Sequence, residues 1–238
     1  MVYLRGDCNR PNFPIRYTER VSKFVIAKLK KSMKSKRLAA QDLKNSAPSR
    51  EEFEEMLKLW EKKHEQKSKA KALNYTWIES PLGSILAIAD EKALYLLEFL
   101  DCRGLGWEVE RLLINYNAHL APGLSDPLRL IERELPLYFK GKLREFTTPV
   151  NPTGTLFQKR VWGELMKIPY GETRSYAEIA KALGKPTAFR AVAGANGANQ
   201  LAIIIPCHRV INTGGALGGY SGGLPKKEWL LHLEGRGA

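Results

Sequence analysis

Three short apolar runs, Leu73–Glu79, Ser84–Ala89 and Ala93–Leu100, follow one another with only a few turn residues between them, and this spacing constrains the fold more than any other feature of the 238-residue chain. Runs of this composition, the first two separated by Pro81-Leu82-Gly83, predict strands. Connections this short join antiparallel neighbours, because a parallel pair needs a crossover of a dozen residues or more. A three-stranded meander is therefore expected. Helical patterns at Trp107–Asn117 and Pro127–Phe139, the second stopped by Lys140-Gly141, are expected to pack on it. The fold class implied is α+β: a small N-terminal antiparallel-sheet and helix subdomain over residues 73–148, then a mainly helical, winged helix-turn-helix domain over 149–238.

The segment before the strands has another texture. Residues 1–72 hold 19 Lys and Arg against 9 Asp and Glu, a net +10, while the rest holds 19 against 16, only +3 of the chain's +13. Such an excess favours a polyanionic partner, since each phosphate neutralised by Lys or Arg releases counterions; a solvated arm is the alternative. Helices are expected over Val21–Lys31 and, capped by Ser49, over Arg50–Glu65, with Phe53, Met56, Leu57 and Trp60 on one face. The pair loosely looks like a helix-turn-helix, but Glu51, Glu52, Glu54 and Glu55 open its second helix and would repel phosphates. This basic extension is expected to be a degenerate or purely structural module.

Beyond Pro149 the chain reads as helices. Thr155 is expected to cap Leu156–Met166, Ser175 to cap Tyr176–Leu183, and Thr187, after the break Gly184-Lys185-Pro186, to cap a helix running to about Ala195. Two short helices around a glycine-containing break spell a helix-turn-helix. The second reads Arg190-Ala191-Val192-Ala193-Gly194-Ala195. Close packing in a core would explain its small residues. So would a helix that sits deep in a DNA groove while Arg190 enters the base stack, reading shape because it lacks side chains long enough to pair with base edges.

The continuous apolar run Leu201–Ile205 predicts a buried strand that ends on Pro206-Cys207-His208-Arg209-Val210. A thiol beside an imidazole is a candidate nucleophile, although a lone cysteine is more often an inert core residue and sequence neighbours need not face each other. Cys8, Cys102 and Cys207 are odd in number and lack CxxC spacing, which argues against a disulfide framework and a zinc knuckle; with His64 and His119 they have no metal-ligand spacing, so no metal or other cofactor is expected. No apolar run approaches the roughly 20 residues of a membrane span, and the N-terminus lacks the apolar stretch of a secretory signal. The protein is expected inside the cell and away from membranes.

Pro206-Cys207-His208-Arg209-Val210 resembles the active-site signature of the O6-alkylguanine-DNA alkyltransferases, also called methylated-DNA:protein-cysteine methyltransferases. Further matches keep order and spacing: Tyr176 for the family's base-flipping tyrosine, Arg190 for its intercalating arginine, Asn199 for its hinge asparagine, Tyr220-Ser221-Gly222-Gly223 for its substrate loop and Glu234 for its acidic residue. The likeness runs from about Leu73 to Glu234 and is strongest from Thr155 onward. It implies transfer of an alkyl group from O6-alkylguanine, and less well from O4-alkylthymine, in double-stranded DNA to Cys207. Cys207, His208, Glu234, Tyr176 and Asn199 would form the catalytic set. Tyr220, Ser221, Gly222 and the backbone near Val210 would hold the base, and Thr187, Arg190, Ala191, Ala193, Gly194 and Arg209 would meet the DNA, from the minor groove and largely without sequence preference.

The resemblance further implies a monomer, located at the nucleoid in a prokaryotic cytoplasm or in a eukaryotic nucleus. The larger adaptive-response regulators of the family add a four-cysteine zinc domain and an AraC-type module; this chain lacks the cysteines for the first, and residues 15–66 are at best a shortened remnant of the second. Two other classes stay open on residue types alone. A Cys-His hydrolase would turn over repeatedly on an acyl substrate, and a lesion-binding relative without chemistry would need no Cys207.

Overall fold

The computed structural model describes residues 51, 53–55, 57–58, 70–102 and 104–235. The expected helix over Val21–Lys31, its partner's cap Ser49, and Met56 and Trp60 lie outside them.

The three apolar runs form β1 (Lys71–Ile78), β2 (Ile85–Ala89) and β3 (Leu94–Phe99), paired antiparallel as the short connections require. The first connection turns at Gly83, whose φ of 103° suits glycine. In the second, Asp90 accepts from the backbone N–H groups of Lys92 and Ala93 at 2.7 and 2.8 Å. The helix α1 (Leu105–Asn115) then returns the chain to β4 (Ala118–Pro122), which lies parallel to β1 and completes the sheet order β3-β2-β1-β4. β4 carries no strand signal of its own, because Ala118-His119-Leu120-Ala121-Pro122 has neither β-branched residues nor a clean alternation.

The sheet is covered on both faces, which explains strands that read as apolar almost throughout. Leu86, Ile88, Tyr95 and Leu96 pack with Val109, Leu112 and Leu113 of α1 and with the helical residues Phe53 and Leu57, so part of the N-terminal extension belongs to this core. Ile85, Ala87, Leu97 and Phe99 join the larger core, shared with α2 (Asp126–Phe139) and the C-terminal helices. Glu134 of α2 fastens the crossing between the two layers: its carboxylate accepts from the backbone N–H and hydroxyl of both Thr147 and Thr148.

Beyond it come α3 (Leu156–Leu165), the two-residue β5 (Arg174–Ser175), α4 (Tyr176–Ala182), α5 (Phe189–Gly197), the two-residue β6 (Val210–Ile211) and α6 (Leu224–Leu233). Thr155 with Gln158, and Ser175 with Glu178, form reciprocal capping boxes, satisfying N-terminal donors of α3 and α4. Thr187 does not cap α5. The chain first makes one more turn, with Ala188 N–H bonded to Lys185 O at 2.9 Å, and Ala188 occupies the cap without a side-chain hydrogen bond. The outer edge of β3 is closed by parallel bridges from Leu94 to Val150 and from Leu97 to Leu201, which tie the segment leading to Cys207 onto the sheet.

Candidate active site

Leu201–Ile205 is buried as its composition predicts, but it is a tight turn and not a strand. Only its start pairs with β3, through Ala202 N–H to Leu97 O at 2.8 Å. The chain then closes on itself, with Ile204 N–H to Ala202 O at 2.8 Å, Ile205 N–H to Leu201 O at 3.0 Å, and Ile203 at φ 71°. A positive φ on a β-branched residue is sterically costly and persists only where its surroundings over-determine it. Here the clamp is Asn199. Its Oδ1 accepts from Leu201 N–H at 3.0 Å, and its Nδ2 faces Leu201 O, Ile205 O and Cys207 Sγ at 3.3, 2.9 and 3.1 Å. Hydrophobic composition reports burial; it cannot distinguish a buried strand from a buried turn.

Cys207, His208 and Arg209 follow as one 3₁₀ turn, all buried, with Cys207 2% exposed. Burial pushes the Cys207 thiol up to about 11, while the Asn199 hydrogen bond and the Lys227 ammonium favour the thiolate and the charge of Glu98 opposes it. Lys227, fully buried in α6, donates to Val210 O at 2.6 Å and Gly218 O at 3.1 Å, joining the strand after Cys207 to the loop that follows.

Glu234, just beyond α6, is the hub behind the thiol. His208 Nε2 lies 3.0 Å from its Oε1, Arg209 donates from Nε to Oε2 at 2.8 Å and from Nη2 to Oε1 at 3.0 Å, the Tyr138 phenol donates to Oε1 at 2.7 Å, and Gly171 N–H reaches Oε2 at 3.3 Å. Burial alone would raise the Glu234 carboxyl, but the bonds from His208 and Arg209 bring it down to about 2. A carboxylate that firmly ionised can only accept, so His208 Nε2 carries the proton and Nδ1 is left as the acceptor. Nδ1 is buried and has no hydrogen-bond partner among the described residues. Burial also depresses the His208 pKa, partly offset by Glu234, so the ring rests neutral.

Arg209 departs from its expected place on the DNA surface. Its side chain is turned inward onto Glu234, with Nη1 on Ile168 O at 2.6 Å, because a buried carboxylate is held charged most effectively by a bidentate guanidinium. Tyr138 and Lys227 were not legible in the sequence as site residues. Each sits in an ordinary helical pattern, and only the tertiary fold turns it toward the site.

On the approach side, Tyr176 opens α4 and packs against the loop after β6. A Cβ added to Gly218 would lie 2.5 Å from the Tyr176 phenol oxygen, so glycine alone permits this approach. Burial and the neighbouring Cys207 push the Tyr176 phenol up to about 12, which keeps it protonated. Tyr220 is buried, Ser221 and Gly222 are half-buried, and Val210 lies in β6 beside Arg174 of β5. A side chain at Gly222 would meet Tyr220 at 2.9 Å and Phe99 at 3.1 Å, so the loop is seated on the end of β3.

The helix-turn-helix, α4 and α5, presents a separate outward face. Arg190, Ala191 and Thr187 are exposed there, with Ala193 and Gly194 half-buried. Trp162 of α3 seats the helix by donating from Nε1 to Ala195 O at 2.9 Å. Among the described residues no cluster of His, Cys, Asp or Glu has the makings of a metal site.

The chain matches the family models described as 6-O-methylguanine DNA methyltransferase, ribonuclease-like domain, over residues 73–152, and 6-O-methylguanine DNA methyltransferase, DNA binding domain, over residues 156–236. It is 48% identical over 162 residues to the methylated-DNA--protein-cysteine methyltransferase of Methanosarcina barkeri, covering 67% of this chain and 96% of that protein. The chain belongs to the 6-O-methylguanine DNA methyltransferase family. The methyltransferase of Mycobacterium tuberculosis is 43% identical over 68% of this chain and 92% of its own length. The crystal structure of Mycobacterium tuberculosis OGT in complex with DNA superposes with a TM-score of 0.59 at 40% identity, over 68% of this chain and 92% of that one. The Cys207 turn, Glu234 and the α4–α5 face lie in the segment matched by the DNA binding domain, and Tyr138 of the Glu234 hub lies in the segment matched by the ribonuclease-like domain.

Proposed function

We propose that this protein repairs O6-alkylguanine in double-stranded DNA by moving the alkyl group onto Cys207 Sγ, one group per molecule. The observation that carries this reading is the Cys207 turn: a buried sulfur held by Asn199, with a neutral His208 oriented by an ionised Glu234 directly behind it. The exposed face of α5 enters the minor groove, where its small residues permit close approach, and Arg190 takes the space of the nucleotide that swings out. Eversion costs a few kcal/mol of stacking and pairing, less for a damaged base that pairs poorly.

In the pocket the base lies beside the Tyr176 ring and against the loop Tyr220–Gly222, with Ser221 directed at O6. The Cys207 proton passes to His208 Nδ1 through a bridging water, and Glu234 stabilises the imidazolium that forms. The thiolate attacks the alkyl carbon in line: the S–C bond forms as the C–O6 bond breaks, the electron pair leaves on guanine, Tyr176, protonated until about 12, hands its proton to the departing base, and the proton held on the His208 imidazolium returns through water to the Tyr176 oxygen, so that guanine, His208 and Tyr176 all end neutral. The product is a thioether. It has no carbonyl for water to attack, so the thiol is not regenerated and the protein is consumed. O4-alkylthymine is a poorer substrate of the same pocket, and the protein acts as a monomer.

Incubation with a duplex carrying O6-methylguanine, followed by intact-protein mass measurement, should show one added methyl group per chain and none in Cys207→Ala. An unmodified wild-type protein beside a persisting lesion defeats the reading. Repeated turnover on a thioester would favour a hydrolase instead.

A further inference from the structure

Glu234 Oε1 has more donors than a carboxylate oxygen has lone pairs. Tyr138 at 2.7 Å, His208 Nε2 at 3.0 Å and Arg209 Nη2 at 3.0 Å all converge on that one atom, and the shortest bond belongs to the tyrosine. Tyr138 lies 96 positions before Glu234 in the chain, on α2 of the sheet layer. Its ring is fully buried and fixed by edge contacts from Phe139 and Tyr170 at centroid distances of 5.6 and 6.2 Å, so the phenol cannot swing away. We infer that Tyr138 is a positioning residue of the alkyl-transfer relay: its phenol holds Glu234 Oε1 for His208 and, by sharing that oxygen, limits how far the carboxylate can support a charged imidazole.

The inference rests on the alkyl-transfer reading of Cys207. Burial and then the charge of Glu234 raise the Tyr138 phenol well above its usual 10, so it stays a donor throughout the working range. The positive end of its O–H dipole points at the oxygen that an imidazolium would use. Removing it frees a lone pair and removes a repulsive partial charge, and both effects make His208 more basic. The charged and titratable groups around this unit are Arg209 and Lys227 beside His208, and Tyr170 with Arg144 toward the far side of Glu234; Tyr138 is the member supplied by α2. The N-terminal layer thus reaches the chemistry through a side-chain hydrogen bond as well as through packing and the backbone bridge of β3.

The test is Tyr138→Phe in the full chain, which removes one buried oxygen and keeps the ring. Single-turnover methyl transfer measured against pH should show its acid limb moved up by about half a unit, the size expected for one hydrogen bond of roughly average strength. The His208 imidazole titration followed by NMR should move in the same direction. In a Glu234→Gln background the same substitution should move neither. A lowered melting temperature with an acid limb and a His208 titration that stay put overturns the inference and leaves Tyr138 a packing residue. So does an equal shift in the Glu234→Gln background, since the phenol would then act elsewhere. Failure of the wild-type protein to accept a methyl group defeats the alkyl-transfer reading instead, and in that event the His208 titration still decides whether Tyr138 tunes the ring.

Discussion

Asn199 is the side chain whose loss the structure makes most informative, because it holds the backbone and touches the sulfur at once. In Asn199→Ala, Leu201 N–H loses its partner inside the core, and a buried donor left unpaired costs about 2 kcal/mol. The two carbonyls are less exposed to the change, because Leu201 O still accepts from Ile205 N–H and Ile205 O from Cys207 N–H, so their share is about 1 kcal/mol. A total near 3 kcal/mol corresponds to a fall in Tm of about 9 °C for a domain of this size. The sulfur loses its hydrogen bond as well, and since that bond favours the thiolate, the Cys207 pKa rises further. A charge-assisted bond worth about 1.4 kcal/mol makes single-turnover transfer about tenfold slower at saturating DNA. Asn199→Asp keeps an acceptor for Leu201 N–H but turns a second oxygen toward Leu201 O, Ile205 O and the sulfur where the amide donated, so it should melt no higher than the alanine variant and transfer more slowly still. Thermal melts and quenched single-turnover reactions measure both quantities. If Asn199→Ala melts within about 2 °C of the wild type and transfers at its rate, Asn199 does not hold the turn.

Gly218→Ala should slow methyl transfer by at least tenfold with little change in duplex affinity, since the added carbon would fall 2.5 Å from the Tyr176 phenol and displace it; unchanged kinetics would mean that the loop yields freely. Glu234, with a folded pKa of about 2 against the usual 4.5, contributes stability that is fully present above pH 4.5 and is lost as pH falls toward 2, amounting to about 3 kcal/mol at neutral pH. Denaturant unfolding of Glu234→Gln beside the wild type should show a gap of about that size at pH 7 that narrows between pH 4.5 and 2; a gap that does not change with pH would assign the loss to packing.

Local signals in the sequence carried as far as local forces act. The meander was legible because short connections permit one pairing, and α3 and α4 because Thr155 with Gln158 and Ser175 with Glu178 satisfy helix donors from within four residues. The chemical centre was legible through resemblance, which named Cys207, His208 and Glu234 together. What escaped depends on distant partners. Leu201–Ile205 is bent by one asparagine and by the edge of β3, β4 is held by β1 and α1 more than by its own residues, and Arg209 faces inward because Glu234 arrives from the far end of the domain. Thr187 misled for another reason: a cap-forming residue signals that a helix is near, and one extra turn of chain moved the true start to Phe189.

A molecule that works once has to survive intact until the occasion arises. With its pKa lifted from 9.0 to about 11, Cys207 at neutral pH is ionised roughly a hundredfold less often than an ordinary cysteine, and its sulfur is closed off from the bulk liquid. Peroxides and stray small electrophiles therefore find little thiolate to consume. Storage and use are separated by the same packing, since only a base seated against the sulfur can take what the thiolate would give.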